Sequence, residues 1–403
     1  MKATPWLSII GIGDDGLPGL SPVALSVLEA AEIIFGGQRH LAMLGDEQRK
    51  HIEWRIPFAD SIEILTQYKG RAVAVLASGD PMWYGAGSTL ARTIPPSEMR
   101  IIPAPSAYSL AAARLGWPLD QIDCLTVHGR PMETVLPFIV PGAKLLIYCH
   151  DGETPQKLAA LLRERGFGDS EMTALSHLGG SREAKRSAPA RDWTDASLPS
   201  LTTVAIACVA APGASGLSTM PGLPDDAYQH DGQLTKWEVR AATLAALAPL
   251  RNQLLWDVGA GCGSIGIEWC RAARGARACA FEADPSRLDF IRANALALGV
   301  LDLDIVEGQA PDILSGRPGP DAIFIGGGLS AEGMVDHCWA ILKPGGRLVA
   351  NAVTIEGEQQ LASAYQSLGG ELIRIAISRA GPVGDFTGWR PMMPVTQLRV
   401  RKS

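Results

Sequence analysis

The stretch from 254 to 266, reading Leu-Leu-Trp-Asp-Val-Gly-Ala-Gly-Cys-Gly-Ser-Ile-Gly, constrains this chain more than any other. An apolar run of strand length passes into a glycine turn and then into a helical pattern. Glycines lack a Cβ, so the backbone can turn sharply under the strand end and leave main-chain N–H groups at the helix start facing a ligand. The same strand-and-helix rhythm continues, with strands predicted at 278–282, 303–306, 322–325, 348–351, 372–377 and 397–400 after an opening helix over 235–247. Seven strands in that order predict a doubly wound sheet.

A second α/β rhythm precedes it, with apolar runs at 7–13, 33–37, 72–77, 101–103, 145–149 and 203–210. Between the two, residues 211–226 read APGASGLSTMPGLPDD, a Pro/Gly/Ser-rich stretch with no periodicity. Such a break marks a domain border. A chain of 403 residues is too long for one ordinary core. The expected division is therefore a domain over 1–215, a linker over 216–226 and a second domain over 227–403. The halves show no repeat, so they read as fused unlike domains.

Charge and cysteine usage remove several function classes. The formal net charge of −6 offers no general attraction to nucleic acid or anionic membranes. The seven cysteines, Cys124, Cys149, Cys208, Cys262, Cys270, Cys279 and Cys338, form no CxxC pair and read as reduced core thiols. The histidines are dispersed, so no protein-built metal site is expected. The short apolar run after Met1 ends at Gly13-Asp14-Asp15 and fits neither a signal peptide nor a membrane span. The chain is expected to be cytoplasmic, with no nucleic-acid or membrane partner.

The predicted second strand of the carboxy-terminal sheet ends in Glu282, about 20 residues beyond the glycine turn, where a carboxylate can accept hydrogen bonds from ribose hydroxyls. A nucleoside ligand follows. Gly261-x-Gly263-x-x-Gly266 also fits a dinucleotide fingerprint, so a nicotinamide-dependent oxidoreductase stays open on the turn alone. Asp257, Gly308-Gln309-Ala310 and Leu342-Lys343-Pro344-Gly345-Gly346-Arg347-Leu348 favour S-adenosylmethionine. Together these motifs resemble the class I, seven-stranded Rossmann-like methyltransferases. That resemblance implies cofactor contacts at Gly259, Ala260, Gly261, Cys262 and Gly263, at Glu282, and at Gln309 with Ala310. Upstream, Asp231-Gly232-Gln233-Leu234-Thr235-Lys236-Trp237-Glu238-Val239-Arg240 resembles the lead-in of the cobalamin-pathway CbiT methyltransferases. By that resemblance Thr235 contacts the cofactor, while Lys236 and Arg240 face substrate carboxylates. The competing reading is a capping box of Thr235 with Glu238 on a solvated helix.

In the amino-terminal half, Ile10-Gly11-Ile12-Gly13, Ser78-Gly79-Asp80-Pro81-Met82-Trp83-Tyr84-Gly85 and Pro103-Ala104-Pro105-Ser106-Ala107 each follow a predicted strand. Their order and spacing resemble the tetrapyrrole methylase family over residues 5 to 215. The resemblance implies a two-subdomain α/β fold that holds S-adenosylmethionine in its cleft. The implied contacts are Ser78, Gly79, Asp80 and Trp83, then Ser106 and Ala107, then Cys149 after Leu146-Ile147-Tyr148. Gly11 and Gly13 would lie near the macrocycle, although Asp14-Asp15-Gly16 replaces the usual Gly-Pro-Gly continuation.

No nucleophile, triad or carboxylate pair stands out, which suits methyl transfer to an already electron-rich carbon, where the protein chiefly supplies alignment. A CbiE-like half fused to a CbiT-like half resembles the decarboxylating methyltransferases of corrin synthesis. This implies one S-adenosylmethionine per domain and a tetrapyrrole substrate, precorrin-6B, methylated at C5 by the first domain and at C15 by the second. The second domain would also remove carbon dioxide from the C12 acetate. A cobalt-bearing substrate and a non-catalytic tetrapyrrole carrier remain open, and the resemblance suggests a homo-oligomer. No catalytic residue is assigned. His230 and Tyr228 are weighed as proton donors against a duller role in the linker.

Overall fold

The computed structural model describes residues 5–46, 48–194, 197–214 and 216–403. It divides into two compact units. One runs to Arg130 and resumes from Phe138 as far as position 215, and the other takes Pro131–Pro137 and everything from Gly216.

The first unit holds two five-stranded sheets. Strands β1 (Leu7–Ile12), β2 (Ile33–Gly36), β3 (Lys50–Glu53), β4 (Val73–Ser78) and β5 (Met99–Ile102) form a parallel sheet in the order β3-β2-β4-β1-β5. β1 and β4 are buried on both faces, which is why they read as unbroken apolar runs rather than alternating ones. The second sheet, mixed in direction, comprises β6 (Asp123–Thr126), β7 (Lys144–Tyr148), β8 (Glu171–Ser176), β9 (Ala184–Pro189) and β10 (Thr202–Ala207), ordered β6-β7-β10-β8-β9. The six runs expected from sequence correspond to β1, β2, β4, β5, β7 and β10. β3, β6 and β9 escaped because they are edge strands, where charged residues such as Lys50, Asp123, Lys185 and Arg186 discourage further pairing. β8 is buried but interleaves Met172 and Leu175 with Thr, Ala and Ser, which leaves little hydrophobic contrast.

The second unit contains the seven-stranded sheet. β11 (Leu254–Val258), β12 (Arg277–Glu282), β13 (Asp304–Glu307), β14 (Ala322–Ile325), β15 (Arg347–Ala352), β16 (Glu371–Ile375) and, after a hairpin of β17 (Ser378–Val383) with β18 (Phe386–Pro391), β19 (Val395–Arg401) stand in the order β13-β12-β11-β14-β15-β19-β16. The first five in chain order are parallel and β19 runs antiparallel to both its neighbours. Alternation along β11 feeds two cores: Leu255 joins Ile267, Trp269 and Phe324 on one face, while Trp256 and Val258 join Phe281, Ile323 and Leu348 on the other. Each such side chain contributes about 1.5–3 kcal/mol by leaving water. The β17–β18 hairpin was not expected. Its Gly, Pro and Arg residues carry no strand pattern, and Phe386 and Trp389 are largely exposed.

Candidate functional site

In the second unit the strand order reverses between β11 and β14, the place where open α/β sheets take their ligands. There Gly259 has φ of +70°, and a Cβ on it would come within 2.5 Å of the Gly327 backbone beyond β14. Only glycine permits both the left-handed turn and that approach. The turn then delivers the chain into the helix Ser264–Ala272. Asn294, buried beneath, donates to the carbonyl oxygens of Cys262 and Gln229, at 3.0 and 2.9 Å, and so ties the turn to the lead-in segment.

Above the turn lies a cavity of about 650 Å³. Gly259, Ala260, Gly261, Cys262, Thr235, Glu282, Gln309 and Ala310 all line it. Sequence reasoning thus brings eight of its residues to one wall. Gly263 does not reach that wall; it is the helix N-cap, seated against Ile291. Past the cofactor-type loops the cavity is bounded by Gly326–Gly328, Asn351, Val353, Ile375, Ile377, Met392 and Met393, an apolar end that the motifs do not reveal.

Glu282 is almost fully buried, and its carboxylate already serves three backbone donors: Gly261 N–H at 2.7 Å, and Ala283 and Asp284 N–H at 3.0 Å each. A carboxylate has about four lone-pair sites. One therefore remains for a ligand hydroxyl, and a second requires the Gly261 N–H to move away. Asp257 does not line the cavity. It is fully buried, accepts from Gly266 N–H at 2.8 Å through one oxygen, and leaves the other unpartnered. Burial pushes its carboxyl up to about 7, with the neighbouring Glu282 charge adding to the rise against the opposing Gly266 hydrogen bond.

The lead-in segment decides between the readings weighed for it. Arg240 faces no ligand: its side chain is wholly buried, with Nε on Glu268 at 2.6 Å and its other nitrogens on Asp225, Thr235 O and Leu223 O. The helix begins at Trp237 with Lys236 as N-cap and no side-chain cap bond, so Thr235 and Glu238 form no capping box. Glu238 instead pairs with Arg379 at 2.7 Å. Tyr228 is buried with its hydroxyl on Glu268 at 2.9 Å, and burial holds its proton well above the usual range. His230 lies off the wall, its Nδ1 taken by Gly232 N–H. Lys236 does line the cavity and makes no ion pair among the described residues.

In the first unit the three predicted loops interlock. A Cβ on Gly11 would lie 2.0 Å from Gly79 O and 2.5 Å from Ala104 N, and one on Gly79, at φ +54°, would lie 3.0 Å from Pro105 O. Asp80 closes its turn on Met82 N–H at 2.9 Å. Trp83, about half exposed, sets its ring edge-on against Tyr108, which stacks on Tyr148 at 3.7 Å. Ser106 caps the helix that begins at Ala107 by accepting from Ser109 N–H. Cys149 is buried next to Tyr148, and burial pushes its thiol up to about 12, so it is an inert wall rather than a nucleophile. Ser78 Oγ is held by Arg39 at 3.0 Å and His40 at 2.9 Å. Burial, reinforced by Arg39, lowers His40 to about 4, so its ring is neutral near pH 7.

Among the described residues no group of three or more His, Cys, Asp or Glu side chains is placed to hold a metal ion, and no helix is long and apolar enough to cross a membrane. The glycine-lined cavity of the second unit fits a nucleoside cofactor held largely by main-chain groups.

Comparison with known proteins gives two family matches: residues 226–402 fit the precorrin methyltransferase domain, and residues 7–193 fit the tetrapyrrole (corrin/porphyrin) methylases. A precorrin-6Y C(5,15)-methyltransferase [decarboxylating] of Sinorhizobium sp is 47% identical over 98% of this chain and 96% of its own. A protein of the same name from Mycobacterium tuberculosis is 41% identical over 98% of this chain and 99% of its own. The solved C-terminal domain of precorrin-6Y C5,15-methyltransferase from Rhodobacter capsulatus is 44% identical, covering 46% of this chain and 100% of that one, with a TM-score of 0.44.

Proposed function

We propose that this chain, which belongs to the family of decarboxylating precorrin-6Y C(5,15)-methyltransferases, divides that reaction between its two units. The first unit methylates C5 of the corrin precursor. The second methylates C15 and releases carbon dioxide from the C12 acetate, and each unit takes one S-adenosylmethionine. The observation that carries this reading is the two-ended cavity of the second unit. Its glycine turn and Glu282 suit a nucleoside, and its far end, with Asn351, Ile375 and Met392, leaves apolar room for the edge of a macrocycle.

When bound, S-adenosylmethionine supplies an electrophilic methyl group. The backbone around Gly259 and Gly261 orients it, Glu282 accepts from a ribose hydroxyl at its remaining lone-pair site, and Gln309 with Ala310 covers the base. Ser78, Gly79, Asp80, Trp83, Ser106, Ala107 and Cys149 take the corresponding part in the first unit. Lys236, without an ion pair among the described residues, meets a carboxylate side chain of the substrate. Alignment with water excluded can remove about 7–11 kcal/mol of barrier, which suffices without an activated protein nucleophile.

The substrate reads as precorrin-6B from sequence and carries the name precorrin-6Y in the full-length relatives. A relative named for cobalt-precorrin-6B, probable C(15)-methyltransferase of Saccharolobus solfataricus, aligns over only 37% of this chain, whereas the near-full-length relatives are named without cobalt, which favours a metal-free substrate. The domain border falls within 216–226, the protein works in the cytoplasm, and exposed Phe386 and Trp389 on the hairpin support a homo-oligomer. Mass spectrometry of precorrin-6B products tests the division of labour. Full-length protein adds two methyls and loses carbon dioxide, a Gly79→Ala/Asp80→Ala variant loses one methyl only, and Glu282→Ala loses the other methyl together with decarboxylation. Identical products from the two variants refute the division.

A further inference from the structure

Methylation of a carbon that carries hydrogen releases a proton, and none of the residues assigned above accepts one in the first unit. The geometry points to His177. It follows β8 and faces the loop after β1, so it meets Asp14 from the other sheet of the same unit, His177 Nδ1 to Asp14 Oδ2 at 3.1 Å. Asp14 Oδ1 is held in turn by Arg39 Nη1 at 3.1 Å, and Arg39 Nη2 reaches Ser78 Oγ at 3.0 Å. A continuous polar chain therefore runs from His177 to the Ser78-Gly79-Asp80 loop proposed to hold the cofactor.

Three observations separate this arrangement from an ordinary packing histidine. His177 has φ of +51°, a left-handed conformation that a side chain with a Cβ adopts only under constraint and that clusters at functional positions. Asp14 is nearly buried, and its seat requires a glycine opposite, because a Cβ on Gly180 would lie 2.5 Å from its Oδ2. The carboxylate accepts from Nδ1–H and so fixes the ring tautomer with the lone pair on Nε2. No hydrogen bond to Nε2 is present among the described residues. Arg182 stands 3.5 Å from Nδ1, too far to displace Asp14.

We infer that His177 is the proton acceptor of the first unit and that Asp14 is its positioning residue. In the step, the macrocycle carbon forms its new bond with the methyl group through π electrons, and the sulfur keeps the pair of the broken carbon–sulfur bond. The carbon then carries both methyl and hydrogen. Its C–H bond breaks, the electron pair returns to the conjugated system and the proton goes to Nε2, leaving an imidazolium paired with Asp14. This rests on the reading that the first unit is a methyltransferase.

The test uses the full-length chain as His177→Gly, with Gly79→Ala/Asp80→Ala as control. Glycine tolerates φ of +51°, so the strain released offsets the hydrogen bond lost and the melting temperature stays close to that of the parent. S-adenosylmethionine affinity by calorimetry is expected to be unchanged. The methyl lost in the control is added about 100-fold or more slowly, the other methyl and carbon dioxide release continue, and added imidazole restores the slow step. Asp14→Asn lowers kcat for the same step and leaves KM for S-adenosylmethionine unchanged. An undiminished rate in His177→Gly, or a slow rate that imidazole leaves unimproved, overturns the assignment. If the control itself loses no methyl, the division of labour has failed instead.

Discussion

Replacing Glu282 by Gln exposes two roles of one side chain. The carboxylate accepts from Gly261, Ala283 and Asp284 N–H groups and has one lone-pair site left for a ribose hydroxyl. Glutamine offers one oxygen. If that oxygen stays with Ala283 and Asp284, the amide NH₂ confronts Gly261 N–H, donor against donor, and the glycine turn loses its anchor. A hydrogen bond to a charged acceptor contributes about 1.5–3 kcal/mol, so the hydroxyl contact alone corresponds to roughly a 10- to 150-fold weaker Kd in the second unit. Comparable destabilisation of that unit is expected from the displaced turn. Calorimetry on the full-length chain should show one site unchanged and one weakened, and product analysis should show the second unit's methyl and carbon dioxide release lost at low cofactor concentration and recovering at high. Two unaltered binding sites with unaltered products would refute the assignment of Glu282 to the ligand.

Asp257 has its carboxyl raised from 3.8 to about 7, so the folded state holds a proton that the unfolded chain has released across that window, and stability falls as pH rises through it. Asp257→Asn removes this loss; in urea titrations its stability relative to the parent should improve between pH 4 and pH 8, by up to about 4 kcal/mol at 1.36 kcal/mol per pH unit. Arg240→Met leaves the buried Glu268 carboxylate without its cation and should cost about 3–5 kcal/mol in chemical denaturation, whereas a substrate-facing arginine would leave stability nearly untouched.

The contrast between Arg240 and Lys236 shows where sequence reasoning stops. Both lie in the same lead-in segment and both are basic, yet one is sealed under Tyr228 and Leu223 and the other lines the cavity. Nothing in local spacing distinguishes them, because helix phase is referenced to a core that distant residues build. The same holds for His177, whose partner Asp14 is remote in the chain and whose backbone conformation is imposed by tertiary contacts. By contrast, the glycine turn at 259–263, Glu282 and the Ser78 loop were legible, since backbone geometry demands glycine at a left-handed residue and a strand end fixes where the next carboxylate points. Sequence alone therefore determined the two α/β rhythms and the glycine-bearing loops at their strand ends, which follow from short-range sterics and periodicity. Only the tertiary structure decided which charges line the cavity and which are buried in structural pairs, and which histidine stands opposite a carboxylate, because burial and pairing are properties of neighbours brought together by folding.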